Sequence, residues 1–363
     1  MADILDLPRD VAIVAFSQVP SVAQETRTEA QMLVESINGV LEQSGIDRRE
    51  IGFTVSGSCD YLTGATFTFV QMLEATAAWP PISESHVEAD GAWAFYEGWV
   101  RLLHGDIDSV LVYASGKSSL GNQQEVMSLW LDPYYLETLG VDMFSYAGLQ
   151  AQAVLNAGKG KESEWAEIAG RSRRDALSNP NAQVRGEVDP AELLREDYLR
   201  GPLRPHACPP VSDSAAAMLI TTAEKAAKLG VEPVYVRGID HRADPHYFGV
   251  RDLSVSESAR IAGEKAAAKA GFGPGDVDVA ELAAMYPHEE QILVDALGLG
   301  DGVRLNPSGG ALAANPVMVT GLLRIGEAYN AIRSGSARRA LAHAQSGPCL
   351  QQNLVCLLEG GNG

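Results

Sequence analysis

Residues 285–291, MYPHEEQ, carry side chains of the kind that acid–base catalysis uses. Tyr286 offers a hydroxyl, and His288 offers an imidazole, which titrates near neutral pH and suits a general acid or base. The stretch follows the apolar strand pattern of residues 277–282, and open α/β sheets bind ligands at the carboxyl ends of their strands. Tyr286 and His288 are therefore predicted to be catalytic. The alternative is that Tyr286 packs in the core and His288 caps the next helix.

Two carboxylates, Glu88 and Asp90, stand just before a helical pattern over residues 91–105. Acidic side chains are favoured at a helix start because they accept hydrogen bonds from free N–H groups and complement the helix dipole. Capping is the preferred interpretation of Asp90. For Glu88, capping and a catalytic role both stay open at this point.

Asn315, Gly309 and Gly310 provide material for an oxyanion hole, because small residues let backbone N–H groups approach a thioester oxygen. The other interpretation is a tight turn before a helix with Pro316 at its first position, and both can hold at once. Cys349 is a further candidate for the substrate site. Its alternative is a small, buried apolar residue.

The elements that would position these residues occur twice along the chain. Strand and helix patterns at residues 11–16 and 29–45 return in the same order at 233–238 and 254–271. Such alternation predicts βαβ units and a mostly parallel sheet, so the chain is predicted to be an α/β protein of two equivalent halves. Residues 118–210 break this rhythm and are interpreted as an insertion.

The composition of the chain argues against several classes of function. The formal net charge of -19 argues against binding to nucleic acid or to anionic membranes. No apolar run is long enough to span a bilayer, and the acidic first residues do not look like a secretory signal. The four cysteines form no CxxC pair, which favours a reduced, cytoplasmic compartment and gives no metal signature.

Three motifs resemble the thiolase superfamily: SDSAAAML at residues 212–219, ALGL at 296–299 and NPSGG at 306–310. The resemblance implies a thiolase-like fold, with two βαβαβαββ halves in five αβαβα layers. Residues 1–118 would form the first half, completed by a return strand within 209–228. Residues 119–208 would form an inserted loop domain, and residues 229–363 the second half.

The departures from that pattern concern the catalytic residues. A gapless comparison puts Glu88 at the position of the family's nucleophilic cysteine, and a family histidine falls on Ala283. The chain thus lacks the thiolate that a Claisen condensation requires. Glu88 is predicted to be catalytic in its place, as a carboxylate that accepts a proton or orients a histidine. Glu290 matches a glutamate common in the family and would orient a neighbouring side chain.

The chain looks most like the lipid-transfer-protein and sterol-carrier-protein group of thiolase homologues. That resemblance implies an aldolase: retro-aldol cleavage of a β-hydroxyacyl-CoA from a steroid side chain, such as that of cholesterol or a bile acid. It implies no cofactor other than the coenzyme A of the substrate, and no metal. It also implies a homodimer, for which residues 109–114 are the candidate edge strand, and a small zinc-ribbon/OB-fold partner that completes a heterotetramer. The alternatives are a non-catalytic acyl-CoA carrier and a scaffold subunit.

Overall fold

The computed structural model describes residues 10–77 and 81–361. The first nine residues of the predicted first half and the last two residues of the predicted second half lie outside the described residues. Residues 78–80 lie outside them as well. The first half contains β1 (Val11–Gln18), α1 (Glu29–Ser44), β2 (Phe53–Gly57), α2 (Asp60–Thr63), α3 (Thr68–Thr76), β3 (Glu84–Val87), α4 (Gly91–His104) and β4 (Ser109–Lys117).

Four helices follow before the chain returns to the sheet: α5 (Gln123–Leu129), α6 (Met143–Asn156), α7 (Glu162–Asp175) and α8 (Pro190–Leu193). The sheet resumes with β5 (Asp213–Thr222) and α9 (Ala223–Leu229). The second half contains β6 (Val234–Ala243), α10 (Glu257–Ala270), β7 (Val279–Leu282), α11 (Pro287–Leu297), β8 (Arg304–Leu305), α12 (Gly310–Ala313), α13 (Thr320–Arg333), β9 (Arg339–Ser346) and β10 (Gln352–Gly360).

The ten strands of the described residues form one mixed sheet in the order β3-β2-β4-β5-β1-β6-β10-β9-β7-β8. Five neighbouring pairs are antiparallel and four are parallel, so the predicted mostly parallel sheet is wrong. Strands β1 and β6 pair antiparallel at its centre, where Ala12 faces Tyr235 and Ile13 faces Val234. Read outward from this pair, each half has the same strand order. The predicted duplication of an α/β unit is therefore confirmed.

Helices α4 and α13 lie between the two halves. One apolar core contains residues of both helices together with strand residues of both halves. Helices α1 and α3 cover the other face of the first half, and α10 and α11 cover the other face of the second. The layers therefore follow the order αβαβα. The central helices pack tightly at their starts, because a Cβ on Gly91 would lie 2.7 Å from the Ala114 Cβ and 3.0 Å from the Leu322 Cβ.

The predicted dimer strand, residues 109–114, is not an edge strand. It belongs to β4, which is buried along its whole length and pairs with β2 on one side and β5 on the other. Because both edges of β4 already carry hydrogen bonds, a second copy cannot pair there. The alternative, an ordinary central strand, is correct. The free edges of the described sheet belong to β3 and β8.

The described helices include none with the length and apolar character needed to cross a bilayer.

Candidate active site

Asp90 lies at the start of α4 and connects it to the start of α13. Its Oδ1 accepts hydrogen bonds from the N–H groups of Ala92 (2.8 Å) and Leu322 (3.1 Å), and its Oδ2 accepts one from Gly321 (2.9 Å). Gly321 permits this approach, because a Cβ there would lie only 2.5 Å from the Asp90 Oδ1. The capping predicted for Asp90 is confirmed, and the carboxylate serves two helices.

The electrostatics of Asp90 combine opposing effects. Burial raises the pKa of its carboxyl from 3.8 to about 6, although the three backbone N–H donors and Arg324 lower it. Helix N-termini also favour an anion. The carboxylate is thus ionised at neutral pH yet basic enough to accept a proton. A group with these properties suits general acid–base catalysis.

A narrow cavity of about 50 Å³ opens beside Asp90. Loops from both halves and from the helical insertion line this cavity, which lies at the carboxyl ends of β7 and β9. Its lining consists of Asp90, Met127, Trp130, Tyr146, Ala283, Met285, Asn315, Val317, Met318, Thr320, Gly321, Gln345, Ser346 and Gly347. The lining contains one carboxylate and two carboxamides, and no cysteine or histidine.

Asn315 is one of these two carboxamides. Its backbone N–H donates to Ser212 Oγ (3.0 Å), and its Oδ1 accepts a hydrogen bond from Thr320 Oγ1 (3.0 Å). The Nδ2 amino group is buried and has no hydrogen-bond partner among the described residues. Since a buried donor without a partner is unfavourable, Asn315 can donate to an oxygen of a ligand in the cavity.

Gln345 is the other carboxamide, and its neighbours fix the orientation of the amide. Its Nε2 donates to Ala283 O (2.6 Å) and to Glu289 Oε2 (2.7 Å). Its Oε1 is buried without a partner among the described residues. Glu289 is itself buried, and burial raises the pKa of its carboxyl from 4.5 to about 7, although hydrogen bonds from Gln345 and from the backbone lower it.

Neither Glu289 nor Gln345 was predicted from the sequence to be a site residue, although Glu289 lies within the MYPHEEQ stretch. Glu289 stands at the third position of α11, where a glutamate is expected to cap the helix, and its Oε2 does accept from the Met285 N–H (2.8 Å). Gln345 is an ordinary polar residue near the end of β9. Their contact joins residues 56 positions apart, so local patterns could not predict it.

The predicted catalytic residues Tyr286 and His288 do not line the cavity. Both are buried with their rings stacked 5.5 Å apart, and Trp165 lies 5.7 Å from the His288 ring. The Tyr286 hydroxyl and both His288 nitrogens have no hydrogen-bond partner among the described residues. Burial lowers the pKa of His288 to about 3 and raises the pKa of Tyr286. The expected titration of His288 near neutral pH is therefore wrong.

Glu88 does not occupy the helix tip. It follows β3, and 47% of its side chain is exposed. Its carboxylate accepts from the Asp60 N–H (2.6 Å) and lies 3.3 Å from His86 Nε2. Glu88 lies two positions before Asp90, which caps α4 at Gly91.

Glu290, Gly309 and Gly310 do not line the cavity. Glu290 forms an ion pair with Arg171 and accepts from Asn306 Nδ2 (2.8 Å). Gly309 and Gly310 have φ angles of 98° and 64°, which favour glycine. These angles fit the predicted tight turn, but the helix that follows Asn315 starts at Thr320 and not at Pro316.

Cys349 also lies outside the cavity lining. Its Sγ donates to Tyr146 O (3.4 Å), and burial raises the pKa of the thiol. The four cysteines of the chain are all unpaired, and burial raises the pKa of each thiol. A protonated, buried thiol is a poor nucleophile. Within residues 10–77 and 81–361, no group of three or more His, Cys, Asp or Glu side chains is arranged to hold a metal ion.

Comparisons with known proteins agree with the fold. No model of a known protein family matches the chain. It is 28% identical over 353 residues to an acetyl-CoA acetyltransferase of Methanocaldococcus jannaschii, an alignment that covers 88% of this chain and 89% of that protein. It is 26% identical over 312 residues to human sterol carrier protein 2, covering 76% of this chain and 56% of that protein.

A solved structure titled Ltp2-ChsH2(DUF35) aldolase matches with a TM-score of 0.81 at 18% sequence identity. The match covers 98% of this chain and 99% of that one. The predicted fold class is confirmed.

Proposed function

Because the chain has the thiolase fold and is related to acetyl-CoA acetyltransferases and to sterol carrier protein 2, we propose that it acts on an acyl-CoA as a carbon–carbon lyase. Its reaction is the retro-aldol cleavage of a β-hydroxyacyl-CoA. The observation that carries this proposal is the helix tip of α4, where the cavity holds the carboxylate of Asp90 and no thiol.

A retro-aldol reaction requires a base for the β-hydroxyl and a donor for the oxyanion that develops on the thioester. Asp90 supplies the base, since its raised pKa lets an ionised carboxylate accept a proton. The Nδ2 amino group of Asn315, which has no partner within the described part of the chain, supplies the donor. Both side chains line the same cavity.

The retro-aldol reaction needs no reactant besides the β-hydroxyacyl-CoA itself. Asp90 takes the proton of the β-hydroxyl, the oxygen forms a carbonyl, and the bond between Cα and Cβ breaks. The electron pair of that bond moves into the thioester as an enolate, whose oxygen accepts a hydrogen bond from Asn315. The protonated Asp90 then returns the proton to Cα. The products are a ketone or aldehyde and a shorter acyl-CoA.

Thiolase chemistry fits the same cavity poorly, because it needs a thiolate to carry the acyl group. No cysteine lines the cavity, and the thiol of Cys349 is held protonated by burial. A carboxylate at the helix tip would instead yield a reactive anhydride, which is not a useful substitute for a thioester. This argument supports a lyase over an acyltransferase on the same scaffold.

We further propose a steroid side chain as the acyl group and a cytoplasmic location. Similarity to sterol carrier protein 2 supports the first, and four unpaired cysteines support the second. We also propose a homodimer that binds a small zinc-ribbon/OB-fold partner in a heterotetramer. Support for a partner comes from the Ltp2 structure, whose title names a DUF35 protein.

The test is product analysis with a 3-hydroxyacyl-CoA that carries a tertiary alcohol. The purified protein, alone or with its partner, should release a ketone and a shorter acyl-CoA. The Asp90→Asn variant should lose this activity. Asp189→Asn is the matched control, because Asp189 also caps a helix but lies outside the cavity. Stoichiometric binding without turnover under every condition would contradict the proposal and indicate a carrier.

A further inference from the structure

The amide of Gln345 has only one orientation that its neighbours accept. Its two close neighbours are the Ala283 carbonyl oxygen and the Glu289 carboxylate, and both are hydrogen-bond acceptors. The amino group must therefore face them, and the oxygen Oε1 is left over. Gln345 lines the cavity, and Oε1 is buried without a partner among the described residues. The cavity thus contains an acceptor that lacks a donor.

Glu289 is held rigidly enough to maintain this orientation. Its Oε2 accepts from the N–H groups of Met285 (2.8 Å) and Tyr286 (3.4 Å), in addition to the amino group of Gln345. These backbone groups belong to the start of α11, which fixes the carboxylate relative to the sheet. A buried carboxyl is unfavourable unless it is hydrogen-bonded. Here the Glu289 Oε2 atom accepts three hydrogen bonds.

Removal of this acceptor would release the amide. With Ala283 O as its only remaining neighbour, the Gln345 side chain could rotate and present its amino group to the cavity. The cavity would then offer a donor where it now offers an acceptor. Glu289 thus controls whether Gln345 offers the cavity a donor or an acceptor, although Glu289 itself does not line the cavity.

We infer that Glu289 is a positioning residue that, through Gln345, selects acyl-CoA thioesters carrying a β-hydroxyl group. This inference rests on the proposed function, since it identifies the β-hydroxyl as the substrate group that the proposed lyase recognises. In the bound substrate the β-hydroxyl donates its single proton to Gln345 Oε1, and rotation about the Cβ–O bond then turns this proton to Asp90 for deprotonation. A β-keto thioester brings a second oxygen against Oε1, and a thioester without a β substituent leaves Oε1 unpaired.

Discrimination of this kind follows from the chemistry of buried polar groups. A site built to hydrogen-bond a hydroxyl rejects analogues that lack it, because its own polar atom then stays unpaired. One neutral hydrogen bond corresponds to a preference of about fivefold to tenfold in binding.

The test measures affinity and does not require turnover. Dissociation constants are determined by calorimetry for 3-hydroxydecanoyl-CoA, 3-oxodecanoyl-CoA and decanoyl-CoA. The wild-type protein should bind the hydroxy thioester about fivefold to tenfold more tightly than the other two. Glu289→Leu and Gln345→Met should lose this preference while still binding CoA thioesters.

Glu289→Gln is the matched control. Its amide oxygen can take the position of Oε2 and accept the same three donors, so the preference should persist. A residue that only stabilised the fold would change all three affinities together, without altering their ratio. Should Glu289→Leu fail to fold, Glu289→Ala provides a second variant, and Gln345→Met tests the acceptor independently.

A hydroxyl preference that survives in Glu289→Leu, Glu289→Ala or Gln345→Met would overturn the inference. So would its loss in Glu289→Gln. The outcome is separable from that of the proposed function. Loss of turnover with an intact preference contradicts the lyase, whereas turnover without any preference contradicts the role of Glu289.

Discussion

The Asp90→Asn variant separates the chemistry of this carboxylate from its contribution to the fold. The amide oxygen can still accept from the N–H groups of Ala92 and Leu322. The amide nitrogen, however, would face the Gly321 N–H, which now lies 2.9 Å from Oδ2. The variant therefore loses one hydrogen bond to a charged acceptor, a loss of about 1.5–3 kcal/mol.

Removal of the buried charge offsets this loss. The pKa of Asp90 is raised from 3.8 to about 6, chiefly by burial. Because one pKa unit corresponds to about 1.4 kcal/mol, ionised Asp90 destabilises the folded state by about 3 kcal/mol at pH 7. The two effects nearly cancel, and the free energy of unfolding should change by less than about 2 kcal/mol.

The sign of the pH dependence follows from the raised pKa. The protonated carboxyl stabilises the fold fully below pH 3.8, and this contribution is lost as the pH rises through about 6. In wild-type protein, Asp90 should therefore remove about 2 kcal/mol of stability between pH 4 and pH 7, because the carboxyl of the unfolded chain is already more than half ionised at pH 4. The variant should lack this component. Urea unfolding at both pH values measures the difference.

Activity should respond differently from stability. Loss of a general base lowers the rate by about 10²–10⁴-fold. Steady-state kinetics at pH 7, beside the Asp189→Asn control, should show this drop in kcat/KM with an unfolding midpoint close to that of the wild type. A variant that folds and retains more than a tenth of wild-type activity would refute the role given to Asp90.

Three further predictions follow from the same geometry. Asn315→Ala should lower kcat by about 10²–10³-fold, as expected when one oxyanion donor is lost, and a normal rate in steady-state kinetics would contradict that role. Iodoacetamide should leave native activity unchanged, because burial keeps all four thiols protonated; inactivation in step with alkylation, followed by mass spectrometry, would point back to a thiol mechanism. His288→Leu should keep activity within a fewfold and reduce acid sensitivity. The pKa of His288 is lowered to about 3, so its contribution is present above pH 6.5 and lost as the pH falls, by about 2 kcal/mol between pH 7 and pH 5. Urea unfolding checks this, and an unchanged pH dependence would contradict the burial of a neutral imidazole.

The fold was predictable because its signals repeat. Strand and helix patterns occur twice, and the structure pairs the two copies about β1 and β6. The prediction that residues 109–114 form an edge strand was wrong about the position of this strand within the sheet. An unbroken apolar run indicates a strand buried on both faces, which favours the centre of a sheet over its edge.

The site was predictable only where local sequence constrains it. Asn315 precedes Pro316 at a turn, and the structure places it in the cavity. The helix start also pointed to Asp90 as the cap, and the structure places Asp90 and not Glu88 in the cavity lining. The neutral, buried state of His288 depends on packing against Trp165, a contact from another part of the chain. Sequence patterns carry no information on such contacts.

The most direct test of the lyase is cleavage of a β-hydroxyacyl-CoA in deuterated water without added free CoA. Mass spectrometry should find one deuterium on Cα of the released acyl-CoA, because Asp90 returns the exchangeable proton of the hydroxyl to the enolate carbon. Cleavage that proceeds only when free CoA is supplied, with a second acyl-CoA as product, would contradict the account.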